Sequence, residues 1–479
     1  MIAHILAAVC ALGAPCGVAT AQQTQVGGDW TRFGYDAARH NAGPRTTGIT
    51  PANLRLLRRE RVALDGTVDS SPIYLRGVEV EGTAHDVFIV TTSYGKTIAV
   101  DAAAGAVLWR FIPNGYASWA GSRQITNATP VADPSRRHVY AVSPDGRIHK
   151  IEIASGHEVT RDAWPAVITR DPRHEKIAPA LNFSRGLVLA ATGGYFGDAP
   201  PYQGHVVAIA ARSGRVLRVW NSLCSSRHAL IDPRSCPESG SAIWARAGVV
   251  VEPGSGRLLV ATGDGKFDGR SYWGDSVLML SSDAARLVRN WTPANQADLE
   301  SGDTDLGSTA PALLGSGLAV QGGKDGTLRL LNLARLNGRT VRPGPRTGGE
   351  LQRIAAPGGS GVFSALAVWR NAGRTWLFVA NDSGTTAYIL RSRRLSVAWR
   401  VRTGGTSPVV AGGLLYVYGK EAGFLGVYRA TSGKLLARLP AGSGHWNSPI
   451  VTDGRIALPD GDANEHRETG ALNIYRIGA

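Results

Sequence analysis

Short apolar segments separated by glycine-containing turns recur along most of the chain. VFIVTT is followed by the turn SYGK and by IAVD, and DAAAG separates this segment from AVLWRF. Because Asp accepts hydrogen bonds from the N–H groups of a turn and Gly adopts positive φ, DAAAG predicts a tight hairpin. The pattern returns in IHKIEIASGHEV, VVAIAARSGRVLRVW and FLGVYRATSGKLLARL, and no long segment has the period of a helix. The chain is therefore predicted to consist of short antiparallel strands.

A second pattern marks the beginning of each repeat unit. A Ser, Thr or Ala followed by Pro and an apolar residue recurs in six segments, and two degenerate copies make a set of eight. These opening segments are 70–73, 128–131, 178–181, 241–244, 309–312, 363–366, 406–409 and 447–450. Their spacing of about 40 to 67 residues leaves room for four strands in each unit. Strand repeats of this period predict a propeller, because radial closure removes exposed sheet edges.

The predicted fold is an all-β, eight-bladed β-propeller of four-stranded antiparallel blades. We expect the segment LRLLRRERVAL, which precedes the first opening, to supply a strand to the last blade and close the ring. Four tryptophans fall late in their units, where a large ring can fill the space between neighbouring sheets: Trp109, Trp220, Trp291 and Trp399. Three insertions are expected to gather over one face of the propeller, at 193–204, 222–240 and 264–275.

The N-terminal residues and the cysteines indicate export. Residues 1–21 are apolar and end in Ala-Thr-Ala, the small-x-small pattern that signal peptidase cleaves. We expect cleavage after Ala21 and a single propeller domain over 22–479, periplasmic or secreted, with no later segment of the roughly 20 apolar residues that span a bilayer. Cys224 and Cys236 lie in one polar loop, where an oxidising compartment favours a disulfide over two free thiols.

Composition and charge exclude several function classes. The net charge of +15 would suggest nucleic acid in a cytosolic protein, but the basic residues are scattered arginines and export makes that partner a poor fit. No CxxCH motif is present, so the chain carries no covalently bound c-type haem. Nucleophile-elbow, zinc-protease and P-loop motifs are also missing from the sequence.

The eight openings and the Asp-x-x-x-Gly-x-x-x-Trp frame resemble the repeats of the pyrroloquinoline quinone (PQQ) propeller superfamily. The resemblance extends over nearly all of the chain after residue 21. This superfamily contains quinoprotein alcohol dehydrogenases and non-catalytic propellers such as the outer-membrane β-barrel assembly scaffold. The resemblance therefore implies the fold and leaves two functions open.

The segment around Trp244 resembles the cofactor-stacking region of the dehydrogenases. The resemblance implies that Trp244 forms the floor for the flat quinone, with Ser241 beside it. The following Thr-Gly-Asp segment resembles one that supplies an Asn to calcium, and here Asp264 stands in its place. Asp264 is a hard oxygen donor for Ca²⁺ but adds a negative charge. The alternative is that Trp244 only packs inside a blade.

Two further segments resemble the catalytic and charge-stabilising parts of the dehydrogenases. The resemblance implies that Asp305 is the catalytic base, that Asp303 is a metal ligand or supports the base, and that Lys324 contacts the quinone oxygens. Asp198 lies near the place where the family offers a carboxylate to the metal. Each of the two segments also has an ordinary structural alternative. Asp303 and Asp305 could cap a loop, and Lys324 could lie in a solvent-exposed turn.

The resemblance implies a quinoprotein oxidoreductase that oxidises an alcohol or sugar by hydride transfer to PQQ. The expected cofactors are PQQ and Ca²⁺, and the expected partner is an external electron acceptor such as cytochrome c. The alternative is a non-catalytic envelope scaffold that binds protein partners. It is favoured by the lack of an adjacent Cys-Cys pair, which many of these dehydrogenases have near the cofactor, and by the Asp at the metal position.

Overall fold

The structure, a computed structural model, describes residues 27–337 and 346–478. The predicted signal peptide lies outside these residues. Within them the chain forms eight four-stranded antiparallel sheets, which confirms the predicted eight-bladed propeller. Among the described residues, no helix is both long and apolar enough to cross a membrane.

The first half of the ring contains strands that follow the predicted hairpins closely. The strand before the first blade is β1 (Leu57–Leu64). Blade one contains β2 (Ile73–Val80), β3 (Thr83–Thr91), β4 (Thr97–Asp101) and β5 (Val107–Phe111). Blade two contains β6 (Val131–Ala132), β7 (His138–Ser143), β8 (Arg147–Glu152) and β9 (Ala166–Val167). Blade three contains β10 (Asn182–Ser184), β11 (Leu187–Ala191), β12 (His205–Ala210) and β13 (Val216–Asn221). Blade four contains β14 (Val250–Val251), β15 (Leu258–Ala261), β16 (Val277–Leu280) and β17 (Leu287–Trp291).

The second half repeats this arrangement. Blade five contains β18 (Ala312–Gly315), β19 (Leu318–Gln321), β20 (Thr327–Asn332) and β21 (Gln352–Ala355). Blade six contains β22 (Ala367–Asn371), β23 (Arg374–Asn381), β24 (Gly384–Arg391) and β25 (Arg394–Val401). Blade seven contains β26 (Val409–Ala411), β27 (Leu414–Gly419), β28 (Phe424–Arg429) and β29 (Leu435–Pro440). Blade eight contains β30 (Ile450–Thr452), β31 (Arg455–Asp460) and β32 (Gly470–Ile477).

Helical structure is short and lies in the connections. The α-helix α1 (Gln296–Ser301) follows β17. The 3₁₀ turns are Leu54–Leu56, Tyr116–Ser118, Pro233–Ser235, Leu306–Ser308, Leu333–Arg335, Pro357–Gly359 and Ala463–Glu465.

The ring is closed by the strand that precedes the first repeat. β1 pairs with β32 in an antiparallel register that runs from Leu57 opposite Ile477 to Leu64 opposite Gly470. Blade eight therefore contains β1 as its outermost strand, as the sequence predicts. This pairing joins the two ends of the repeat array and leaves no blade with a missing strand.

The late tryptophans fill the space between neighbouring blades. The indole of Trp109 donates to the carbonyl of Ile153 at 2.8 Å, and a Cβ on Gly156 would lie 2.8 Å from the Trp109 ring. Trp399 repeats the contact with the carbonyl of Ala430 at 3.0 Å. A glycine is required in these hairpins because the ring of the preceding blade lies directly against the backbone. The predicted role is therefore confirmed for Trp109 and Trp399.

The recurring Ser and Thr of the openings join adjacent blades around the axis. Their hydroxyls exchange hydrogen bonds with the backbone of the neighbouring opening, which is buried and would otherwise be unsatisfied. The bonds are Thr129 Oγ1 from Ser71 N (3.1 Å), Thr126 Oγ1 to Ile177 O (2.6 Å), Thr309 Oγ1 to Ser364 O (2.8 Å), Ser407 Oγ from Ala365 N (2.9 Å) and Thr406 Oγ1 to Asn447 O (2.6 Å). This network fixes the residues that border the axis.

Candidate functional site

The openings of the repeats surround a central cavity of about 700 Å³. Blades three, four, six, seven and eight contribute Ala178, Trp244, Ser364, Ser407 and Trp446 respectively. Of the three insertions expected to gather over the cavity, the first contributes residues 194–198 to its wall. The other two pack on each other through a bridge between Leu223 and Tyr272, and the predicted disulfide joins Cys224 to Cys236 in the same region.

Lys324 lies at the centre of the residues that the sequence analysis selects. It occupies the turn between β19 and β20, where its backbone N–H donates to Asp305 O at 2.9 Å. Its ammonium forms ion pairs with Asp305 and, at 2.7 Å, with Asp303, and it lies 5.8 Å from the centre of the Trp244 ring. Burial alone would lower the pKa of Lys324, but the charges of Asp305 and Asp303 raise it well above its ordinary value. The ammonium is therefore permanently charged.

Three carboxylates converge beside this lysine. One oxygen each of Asp264, Asp303 and Asp305 lies within 4.8 Å of the others. The Asp264 N–H donates to Asp305 Oδ1 at 2.8 Å, and a Cβ on Gly263 would lie 1.9 Å from that oxygen, so only glycine admits the carboxylate there. Burial and the neighbouring charge of Asp305 raise the pKa of Asp264 to about 8.

A fourth carboxylate supports this cluster from behind. Asp275 is fully buried and accepts a hydrogen bond from Leu306 N at 3.0 Å, which holds the turn that follows Asp305. Burial raises its pKa to about 8, although the hydrogen bond from Leu306 acts in the opposite direction. The sequence analysis does not select this residue. Asp275 follows Gly274, whose backbone lies close to Gly265. The sequence around Asp275 contains no recognisable motif.

Asp198 and Ser241 occupy positions different from those of the three clustered carboxylates. Asp198 lines the cavity and accepts a hydrogen bond from the hydroxyl of Tyr202 at 3.2 Å, and burial together with the charge of Asp305 raises its pKa. Ser241 is fully buried with φ of 54°, and its hydroxyl has no hydrogen-bond partner among the described residues. Its N–H instead donates to Asp264 O at 2.5 Å, so Ser241 positions the backbone of the cluster.

Comparison with known proteins gives one family match and a set of structural neighbours. The sequence model described as outer membrane protein assembly factor BamB matches residues 66–229. Quinohemoprotein alcohol dehydrogenase ADH IIB of Pseudomonas putida is 28% identical over 179 residues, which cover 36% of this chain and 23% of that relative. The matched part is thus about a quarter of the length of the curated relative.

The solved structures share the whole ring. A quinohemoprotein alcohol dehydrogenase from Comamonas testosteroni has a TM-score of 0.69 at 16% identity, over 94% of this chain and 81% of its own. The family-model match, the sequence relative and this structure together support a PQQ-repeat β-propeller. A europium-containing methanol dehydrogenase has a TM-score of 0.68 at 14% identity, over 94% and 98% of the two chains. At these identities the structural likeness concerns the fold of the PQQ-repeat propeller.

Two aromatic rings of the cavity wall stack on each other. Trp446 stacks on Trp244 with ring centres 5.7 Å apart and an angle of 19° between the rings. A planar ring between them would require about 7 Å, which is two stacking separations of about 3.5 Å. A flat quinone therefore does not fit between these two rings as the structure places them. Trp446 immediately precedes the last opening segment, 447–450, and no motif in the sequence indicated this contact.

The carboxylate cluster fits a hard cation. Carboxylate oxygens bind Ca²⁺ at about 2.3–2.6 Å, so two ligands on opposite sides of one ion lie about 5 Å apart. The oxygens of Asp264, Asp303 and Asp305 meet this limit, since they lie within 4.8 Å of one another. Burial is the largest cause of the raised pKa of Asp264, and the charge of Asp305, which a cation would offset, adds to it. Lys324 partly neutralises the cluster already.

A second charged region of the cavity wall escapes the sequence analysis. Lys176 and Arg246 both line the cavity, and both are buried. Two positions in the chain give a signal that could have found them: Lys176 precedes Ala178 by two residues, and Arg246 follows Trp244 by two. Alternate residues of an extended segment point to the same side, and all four of these residues line the cavity.

Proposed function

We propose that the central cavity binds PQQ and a hard cation, and that the protein is a quinoprotein oxidoreductase for alcohols or sugars. The observation that carries this proposal is that Trp244, Lys324 and Asp305, selected from three separate segments, line one cavity. An aromatic wall, a fixed cation and a carboxylate in one cavity of about 700 Å³ are the elements that quinone-dependent alcohol oxidation requires.

The roles of the residues follow from their contacts. Asp305 accepts the hydroxyl proton of the alcohol, because its carboxylate is buried at the cavity wall and is held there by the ion pair with Lys324. Lys324 supplies a permanent positive charge beside the face of Trp244, where it stabilises negative charge. Trp244 orients a planar ligand by stacking. When bound, PQQ would supply the acceptor for the hydride.

Asp264, Asp303 and Asp305 are proposed to hold the cation. Ca²⁺ is the expected ion, and the third carboxylate makes a trivalent ion of similar size a useful second probe because it neutralises more charge. Asp198 is proposed to contribute to the site from the 194–198 loop, since it lines the same cavity and its pKa is raised by burial and by the charge of Asp305. Europium luminescence offers a direct signal for the trivalent probe.

Titration with PQQ in the presence of Ca²⁺ tests the proposal. Trp244→Ala should lose saturable binding, measured by tryptophan quenching and by the absorbance of the cofactor. Trp369→Ala is the matched control, because Trp369 lies in β22 away from the cavity and its loss removes one indole as well. Equal PQQ binding by the wild type and Trp244→Ala, or none by the wild type with either Ca²⁺ or Eu³⁺, would overturn the proposal.

An exported location accords with this activity. We propose that residues 22–479 form the mature domain, that the protein is periplasmic or secreted, and that an external acceptor such as cytochrome c reoxidises it. The disulfide between Cys224 and Cys236 supports an oxidising compartment. N-terminal sequencing of the protein from a fractionated culture checks both cleavage after Ala21 and the compartment.

The second candidate function is a non-catalytic scaffold that binds envelope proteins. It is supported by the match of residues 66–229 to the assembly-factor model and by the stacking of Trp446 on Trp244, which closes the space between the two rings. A specific partner recovered from envelope extract, together with no binding of PQQ, would favour the scaffold. Saturable PQQ binding that depends on Trp244 would favour the oxidoreductase.

A further inference from the structure

Lys176 is a buried cation without a partner. Its side chain lines the central cavity and the residue is 7% exposed. Among the described residues, no hydrogen bond or ion pair reaches its ammonium. The other two lysines of the cavity are paired, Lys324 with two aspartates and Lys420 with Asp382 at 3.3 Å. The residue is buried, but its ammonium borders the cavity and has no protein acceptor among the described residues, so its donors are available to a ligand there.

Arg246 adds a second positive charge next to Lys176. Its guanidinium donates to three backbone carbonyls, those of Asn127 at 2.7 Å, Asp69 at 3.2 Å and Trp446 at 3.5 Å. No carboxylate pairs with it within the described part of the chain, and its Nε has no acceptor there. The guanidinium also lies 5.3 Å from the centre of the Trp446 ring. Backbone carbonyls hold this cation in place without neutralising it.

The acidic groups nearest to this pair are already engaged. Asp69 accepts hydrogen bonds from Asn127 Nδ2 at 2.7 Å, His445 Nδ1 at 2.8 Å, Trp446 N at 2.7 Å and Ala463 N at 3.3 Å. Asp462 lies 3.5 Å from the same His445 nitrogen. These carboxylates attract Lys176 from a distance, but neither forms an ion pair with it. The cavity therefore has a region of clustered carboxylates around Asp305 and a second region in which Lys176 and Arg246 have no ion pair among the described residues.

We propose that Lys176, with Arg246 behind it, binds a carboxylate group of a ligand in the central cavity. A carboxylate satisfies the vacant ammonium donors and pairs with a cation that no carboxylate contacts among the described residues. The carboxylate has two sources: the PQQ molecule, which carries carboxylates, or a substrate that is both an alcohol and an acid. The choice between these sources rests on the proposed function, whereas the anion site itself does not.

Binding at Lys176 should be coupled to a proton. Burial lowers the pKa of Lys176 to about 8, and the charge of Arg246 lowers it further while those of Asp69 and Asp462 raise it. A bound anion favours the ammonium form and raises this pKa. At pH 8.5 the wild type should take up a large fraction of a proton for each anion bound, and at pH 6.5 almost none.

The test is calorimetric titration of the full chain with two carboxylates, PQQ and glycolate. Glycolamide, an uncharged molecule of the same shape as glycolate, is the matched ligand control. Lys176→Met removes the charge at nearly constant volume, and Lys420→Met is the control variant because that lysine already has a partner. Proton uptake is obtained at pH 8.5 by repeating each titration in two buffers with different heats of ionisation. Thermal melts show that the variants are folded.

The expected result is at least a tenfold loss of affinity for one of the two carboxylates in Lys176→Met, together with loss of proton uptake. The Lys420→Met protein should bind that carboxylate within about twofold of the wild type. A loss restricted to PQQ assigns the site to the cofactor, and one restricted to glycolate assigns it to an acidic substrate. If Lys176→Met binds PQQ and glycolate as tightly as the wild type does, the anion site is overturned. It is also overturned if glycolamide binds as tightly as glycolate and Lys176→Met does not change the affinity for PQQ.

The two proposals fail in different ways. If the wild type binds glycolate through Lys176 but does not bind PQQ, the anion site stands and the quinoprotein function falls. If PQQ binds through Trp244 with the same affinity in Lys176→Met, and glycolate is not bound, the function stands and the anion site falls. If the wild type binds neither PQQ nor glycolate, the anion site is overturned.

Discussion

Two lysines in one cavity have opposite electrostatic environments. Lys324 contacts Asp303 and Asp305, and these charges raise its pKa well above the ordinary value. Lys176 has no partner among the described residues, and burial lowers its pKa to about 8. Lys324 therefore serves as a fixed charge inside a network, whereas Lys176 retains the capacity to gain both a proton and an anion.

The two ends of the cavity are therefore suited to different groups of a ligand. The region of Lys324 is acidic overall, since three carboxylates lie around one ammonium. Its carboxylates can bind a cation and accept a proton. The region of Lys176 contains two cations without an ion pair among the described residues and can bind an anion. A ligand that spans the cavity should therefore carry an oxidisable or reducible centre at one end and a negative group at the other.

The largest effect is expected from removing the proposed base in the acidic region. Asp305→Asn should lower kcat for alcohol oxidation by about 10²–10⁴-fold, because the neutral amide does not accept the hydroxyl proton. PQQ binding should remain, since Trp244 and Lys324 are unchanged. Dye-linked assays of the protein loaded with PQQ and Ca²⁺ measure the effect. Asp298→Asn, in the exposed face of α1, is the control, and an active Asp305→Asn protein would remove Asp305 from the mechanism.

Lys176→Met should stabilise the protein in a manner that depends on pH. The pKa of Lys176 is about 8 in the folded chain and 10.5 ordinarily, so between these values the unfolded chain binds more protons and stability rises with pH. Below pH 8 the buried charge costs on the order of 3 kcal/mol, which the variant removes. Urea denaturation at pH 7 and pH 10 measures both values. A variant less stable than the wild type at pH 7 would contradict an unpaired ammonium.

Most of the fold was predictable because its determinants are local. The Ser/Thr-x-Pro openings, the hairpins and the late tryptophans each act within a unit or on the adjacent one, and all eight sheets confirm the predicted count. Closure by β1 followed from its length and its position before the first opening. The grouping of Asp264, Asp303 and Asp305 followed from their order, although their assigned roles stay predictions.

The remaining parts of the site depend on contacts between distant segments. Arg246 meets the carbonyl of Trp446, 200 residues away, and Lys176 becomes unpaired only because the fold brings no acceptor to it. No local pattern records the absence of a partner. The alternation Ala242, Trp244 and Arg246 did point to one face, but without the folded ring it did not indicate that this face borders a cavity.

Cation binding should distinguish the region around Lys324 from the region around Lys176, because the cation binds only the carboxylates of the first. At a concentration 100 times its Kd, Ca²⁺ should stabilise the wild type by about 2.7 kcal/mol, because it binds only the folded cluster. Asp264→Asn removes one ligand and should lose most of this gain, while Lys176→Met should keep it. Chemical denaturation with Ca²⁺ or with a chelator measures the difference. Equal stabilisation of the wild type and Asp264→Asn would exclude Asp264 as a ligand.

The smallest effect is expected from Lys324→Met, and its sign is opposite to that of Lys176→Met. Removing Lys324 leaves Asp303 and Asp305 without their counter-charge, which in a buried pair costs several kcal/mol. Because Asp303 is 67% exposed, solvent screens part of this cost, and we expect a loss of about 2 kcal/mol at pH 7.

Ca²⁺ distinguishes lost charge from lost packing in this variant. If the carboxylates repel one another once Lys324 is absent, Ca²⁺ should stabilise Lys324→Met more than it stabilises the wild type, since the ion replaces the ammonium. Lys420→Met, which removes a lysine with a single partner, should respond to Ca²⁺ as the wild type does. Should Ca²⁺ leave the stability of Lys324→Met unchanged, the carboxylate cluster would not be a cation site, because the ammonium that pairs with Asp303 and Asp305 had been removed without effect.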